Sequence, residues 1–140
     1  MIIDKLLQLS SAQALTGTDP VPSTDVIDFG SDRDVGPGSP LWLVVVARVG
    51  LGGTGGPTIK FDIETDDNSG FGSATKIFSS QALPAAAFPS GKIFSIPMPM
   101  ANERVLRLVS TMTGTSPTAT IDAFLTNQPP TTWQSMPDAL

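Results

Sequence analysis

Gly50-Leu51-Gly52-Gly53-Thr54-Gly55 reproduces the G-x-G-x-x-G spacing with which a backbone loop cradles a pyrophosphate. That chemistry needs a helix to start at the loop, so that its N-terminal amides face the phosphates. Here Gly56-Pro57 leads instead into Thr58 to Thr65, where Ile59, Phe61 and Ile63 alternate with Lys60, Asp62 and Glu64 in the period-two pattern of a strand. No Lys-Ser or Lys-Thr pair follows the glycines, so a P-loop fails as well. The stretch is expected to be a mobile surface loop that adapts to a partner.

Asp62, Glu64, Asp66, Asp67 and Asn68 offer the oxygen ligands that calcium prefers. An EF-hand loop starting at Asp62 would require Gly at 67 and Glu at 73, positions held by Asp67 and Ser73. Asp62 and Glu64 fall on the outward face of their strand, which predicts a solvated acidic edge. A calcium site of another geometry near Asp62 to Asn68 stays open. The chain has no His, Cys or Tyr. Serine–histidine and cysteine–histidine nucleophiles, imidazole-bound zinc and a histidine-based cupin centre are thereby removed. A carboxylate pair or a Ser–Lys dyad has no recognisable signature here. The expectation is a protein that is not an enzyme, with no cofactor and no resident metal.

The totals point the same way. With 8 Lys and Arg against 13 Asp and Glu, the net charge is −5, and 15% of the 140 residues are charged, against about 25% in an average soluble domain. The cations are scattered, whereas nucleic-acid binding needs them clustered. Without cysteine there is no disulfide framework, and the fold must stand on packing. No run approaches the roughly 18 apolar residues of a membrane span, and the opening lacks a basic segment followed by an apolar core. A soluble protein made in a cytoplasm is expected, about one domain in size.

The elements that must carry any function are strands. Leu41 to Val49 is the longest nearly unbroken apolar run, with Leu41, Leu43, Val45, Ala47 and Val49 on one face and Trp42, Val44, Val46 and Arg48 on the other. Such a strand is covered on both faces, by a second sheet and by an arm, a loop or another subunit. Asp25 to Phe29, Thr58 to Thr65, Ser73 to Ser80 and Lys92 to Pro97 read as further strands. Arg104 to Met112 and Thr118 to Leu125, joined by Thr113-Gly114-Thr115-Ser116-Pro117, read as a hairpin. Thirteen glycines and 13 prolines punctuate these runs. Seven or eight short strands without a long helix predict an all-β protein, an antiparallel β-sandwich or jelly roll. Residues 1–24 are expected as an N-terminal arm that packs on the domain or reaches a neighbour, 25–125 as the sandwich, and 126–140 as a C-terminal tail. The candidate partner contacts are Leu6 and Leu9 in the arm, Phe124 on the polar face of its strand, and Trp133 in the proline-rich tail, since buried aromatics dominate interface energetics.

The opening Met1-Ile2-Ile3-Asp4-Lys5-Leu6-Leu7-Gln8-Leu9-Ser10-Ser11-Ala12-Gln13-Ala14, the stretch Ser23-Thr24-Asp25-Val26-Ile27-Asp28-Phe29-Gly30 and the central Leu41-Trp42-Leu43-Val44-Val45-Val46 resemble the small capsid cement, or decoration, proteins of tailed bacteriophages. The likeness is to the jelly-roll type first met in a Bordetella podovirus, and it covers the whole length. The resemblance implies a homo-oligomer, a dimer by preference, on the outside of an icosahedral capsid assembled in the host cytoplasm. Its partner would be the major capsid protein, whose neighbouring capsomers it would bridge. It implies no point-like site. A carbohydrate-binding jelly roll on a virion surface is the alternative, disfavoured by only 6% aromatic residues.

Overall fold

The computed structural model describes residues 3–34, 38 and 40–129. They form eight antiparallel strands: β1 (Gln8–Thr16), β2 (Val21–Pro22), β3 (Ile27–Asp28), β4 (Trp42–Asp66), β5 (Thr75–Ser79), β6 (Leu83–Pro84), β7 (Ile93–Pro97) and β8 (Val105–Thr126). Two single-turn 3-10 helices, η1 (Lys5–Leu7) and η2 (Ala85–Ala87), are the only helical elements among the described residues.

The apolar run after Leu41 and the alternating run after Thr58 are two halves of one strand. β4 passes straight through the glycine cluster for 25 residues, and β8 passes through Thr113 to Pro117 for 22. The two pair from Trp42 opposite Thr126 to Asp66 opposite Val105. Two expectations are corrected here: Gly50 to Pro57 is not a mobile loop, and Thr113 to Pro117 is not a hairpin turn. The residues are turn formers, but they lie opposite one another, so both strands bend together instead of ending. A bend is unavoidable, because 25 extended residues would reach about 80 Å, against a radius of gyration of about 14 Å for a chain this size. Register shifts from Ala47 to Thr58 mark the place. Gly114 sits there at φ 108°, and a Cβ on it would lie 2.9 Å from Pro57 Cα.

The remaining strands follow the same corner. Beside β4 run β5, β6 and β7, with Ser79 opposite Asp62, Leu83 opposite Ile59 and Ile93 opposite Val46. Beside β8 run β1, β2 and β3, with Gln8 opposite Phe124, Val21 opposite Ser110 and Asp28 opposite Val105. One layer therefore reads β7, first half of β4, second half of β8, β1. The other reads β5 with β6, second half of β4, first half of β8, β2 with β3. This is the strand order of a jelly roll, and it places the residues expected as an N-terminal arm inside the sheet as β1.

Period-two alternation supplies the core. Leu43, Val45 and Ala47 from one layer bury against Ile59, Phe61 and Ile63 from the other, joined by Leu106, Leu108, Met112, Ile121 and Leu125. Phe61 ties the layers together, its ring 5.6 Å from that of Phe94 on β7 and 5.5 Å from that of Phe88 after η2. Val49, expected in the same row as Leu41, is exposed instead, because the register shift after Ala47 makes Arg48 a bulge and breaks the alternation. The second face of the central strand builds a smaller cluster of Val44, Val46 and Phe124, with Ile3, Trp42 and Ile93 packed around it.

At the corner Gly50 meets the segment between η2 and β7. A Cβ there would lie 2.6 Å from Ser90 N and 2.8 Å from Pro89 C, and backbone atoms cannot swing aside as a flexible side chain would. Gly50→Ala is expected to cost about 2–3 kcal/mol by overpacking. Urea unfolding checks this, and an effect below about 0.5 kcal/mol would show that the crossing is looser than the geometry states.

Candidate functional site

The polar residues that looked like chemistry are spent on structure. With β4 continuing to Asp66, the glycine run has no helix behind it and presents no set of N-terminal amides to a phosphate. Asp62, expected on a solvated edge, is buried: Lys76 Nζ lies 2.7 Å from Oδ2, Ser79 Oγ donates to Oδ1 at 2.6 Å, and Lys60 Nζ is 3.5 Å away. The lysine stems cover the carboxylate while their ammonium groups stay wet. Glu64 pairs with Arg107 at 2.7 Å, and that guanidinium lies 4.1 Å from the centre of the Phe71 ring. Asp66 organises the following turn by accepting from the amides of Asn68 (3.3 Å) and Ser73 (2.9 Å). Among the described residues no three His, Cys, Asp or Glu side chains are grouped to hold a metal ion.

Burial alone would push the Asp62 carboxyl up, but the bonds from Lys76 and Ser79 outweigh it and hold it below the ordinary 3.8. Hydrogen bonding to Asp62 in turn raises Lys76 above 10.5. Asp62 therefore contributes stability above pH about 4 that is lost as acid carries the pH down through its lowered value. The contribution of Lys76 is complete below 10.5 and fades as alkali passes its raised value. The urea midpoint is expected to fall between pH 4 and 2, and less steeply in Asp62→Asn. Parallel acid limbs in the two proteins would assign the loss to other carboxylates.

The surface feature that remains lies at the end of the jelly roll away from the corner. Leu6 on η1 is 81% exposed and Val26, just before β3, is 41% exposed. They flank a cleft of about 400 Å³ completed by Lys5, Gln8, Asp25 and Asp28. η1 is fixed by Asp4, whose Oδ1 accepts the Leu6 amide at 2.9 Å. Lys5 meets Asp25 at 3.2 Å, and Arg104 forms two bonds to Asp28, 2.9 and 2.8 Å. The Arg104 guanidinium holds the Asp28 carboxyl below its ordinary value. An apolar pair framed by paired charges suits contact with another protein, because the frame is already neutralised and the centre gains from losing water.

Of the four residues expected to touch a partner, only Leu6 lies on this surface. Leu9 and Phe124 are fully buried inside the chain: Leu9 joins the main core, and Phe124 fills the outer cluster under Ile3. Their role is corrected from partner contact to internal packing. Trp133 lies outside the described residues. Val26 was missed, although alternation around Ile27 and Phe29 turns it outward beside Asp28.

Residues 9–125 match the family described as Bbp16. The chain belongs to the Bbp16 family. That name points to a protein of a Bordetella phage, in keeping with the resemblance carried by the opening and central stretches. The Bbp16 match runs from the second residue of β1 to the penultimate residue of β8. It therefore covers all eight strands and leaves Leu6 just outside. No curated protein matches the chain.

Proposed function

We propose that this Bbp16-family chain is a capsid cement protein. It binds the outer surface of an icosahedral phage shell, with the major capsid protein as partner, and stabilises the shell by bridging capsomers. The observation that carries the reading is the phage-family match across the entire jelly roll. The surface supports it. Charge is sparse, the buried carboxylates are already paired, and the cleft between Leu6 and Val26 offers an apolar contact with an ion-pair frame.

Purified protein should cosediment with expanded shells that lack it and raise their melting temperature. No binding and no stabilisation would refute the reading. Leu6→Glu is expected to weaken attachment roughly tenfold or more, about what losing an apolar anchor at an interface costs. Its own unfolding should change little, because Leu6 is exposed. Unchanged attachment would move the contact away from the cleft.

A further inference from the structure

We infer that β7 is an open hydrogen-bonding edge that receives β7 of a second copy of this chain, antiparallel and about a two-fold axis through Phe94. The register with β4 determines which backbone groups point where. Ala47 donates its amide to Lys92 O at 2.9 Å and Met98 donates to Leu41 O at 2.9 Å. Between them Ile93, Phe94, Ser95, Ile96 and Pro97 lie opposite Val46, Val45, Val44, Leu43 and Trp42 without a shift. Opposed residues in an antiparallel pair alternate between bonded and non-bonded. Lys92, Phe94, Ile96 and Met98 therefore turn their groups toward β4, while Ile93, Ser95 and Pro97 turn theirs away. Among the described residues no strand pairs on that side.

Every other edge is blunted. β1 carries two register shifts, and the Asp25 amide bonds back to Leu9 O at 2.9 Å. β2 and β3 are two residues each. β5 has a shift between its partners Ile63 and Glu64 and bears Lys76. Proteins blunt the edges they do not use, by bulges, short strands and lysines. β7 has an unbroken register and no charge in Ile93-Phe94-Ser95-Ile96-Pro97, and strand addition uses such an edge.

The occupant follows from the edge itself. With the axis at Phe94, Ile93 of one copy lies opposite Ser95 of the other, and each residue exchanges both its amide and its carbonyl. Four hydrogen bonds form from groups the single chain leaves pointing outward. Pro97 has no amide to strand, so the pairing ends cleanly. In a chain of net charge −5, an uncharged strand is also where two copies meet with least repulsion. The layer that contains Val44, Val46 and Trp42 would then continue from one copy into the next as eight strands.

The test needs only the purified chain, so it stands or falls apart from capsid binding. Sedimentation over a concentration series should show a monomer–dimer equilibrium. Ser95→Pro removes an outward amide and spares the β4 ladder, and should weaken association at least about tenfold. Ser95→Lys, which sets like charges beside the axis, should weaken it too, and covers the case in which the proline disturbs the strand. Hydrogen exchange at the Ile93 and Ser95 amides should slow as concentration rises, while Phe94 and Ile96 stay slow throughout. A chain that is monomeric at all concentrations would overturn the proposal. So would a dimer that both variants leave intact, or one in which the Ile93 and Ser95 amides exchange at monomer rates.

Discussion

Val44→Asp is expected to cost about 4–6 kcal/mol, enough to unfold much of the population at neutral pH. Val44 is completely buried on the outer face of its layer, opposite Phe124 on one side and Ser95 on the other. The substitution forfeits roughly 2 kcal/mol of apolar burial. It also places a carboxylate where no described cation is packed against the cluster of Val46, Phe124, Ile3, Trp42 and Ile93, an additional penalty of several kcal/mol. Since typical stabilities are about 5–15 kcal/mol, little would remain. The buried carboxyl would escape by holding its proton, so the variant should be least stable above pH about 6 and recover partly on acidification. Val44→Thr, nearly the same shape, should cost about 1–2 kcal/mol, the burial penalty of a hydroxyl. Urea unfolding at pH 7 and pH 4 separates these cases. A Val44→Asp protein within 1 kcal/mol of the native chain would mean that the outer cluster is open to water.

Phe61→Ala is expected to cost about 3–5 kcal/mol, the usual range for emptying a buried phenylalanine site. Phe61 belongs to one layer, while its ring partners Phe88 and Phe94 come from the segments that cross to the other. The cavity would open between layers, where a rigid sandwich collapses poorly. At about 3–5 °C per kcal/mol for a domain of this size, the melting temperature should drop on the order of 15 °C. Phe61→Leu should lose less than half as much. Calorimetry decides, and equal losses in the two variants would show that ring contact rather than volume matters there.

The strands were legible because alternation is a local signal. Ile59, Phe61 and Ile63 read as inward, and all three are buried. The two rows of Leu41 to Ala47 also read correctly, and the second was expected to need a cover, which Ile3 helps to supply. What the residues could not reveal locally was that two turn-like stretches face one another. Gly50 to Pro57 reads as a loop, and Thr113 to Pro117 reads as a hairpin tip. Each becomes the bend of a continuous strand only because the other lies beside it, and that pairing spans some sixty residues of sequence.

The candidate surface was half legible for a related reason. Leu6 was singled out in a segment of uncertain structure, and it is exposed. Phe124 looked misplaced among polar neighbours because its cover, Ile3, is at the other end of the chain. Asp62 looked solvated for the same reason: alternation gives the face of a residue, not what folds over it.

β1 closes the jelly roll by pairing Gln8 with Phe124, so the first strand made must wait for the last. At about 5–20 residues per second, that partner arrives on the order of ten seconds after β1 leaves the synthesis site. In the interval β4 can join β5, β6 and β7, but its other edge stays open until β8 appears. Such non-local pairing makes folding slow, in the range of milliseconds to seconds once the chain is complete. During synthesis, the exposed run from Trp42 to Val46 is the segment most prone to join a neighbouring nascent chain.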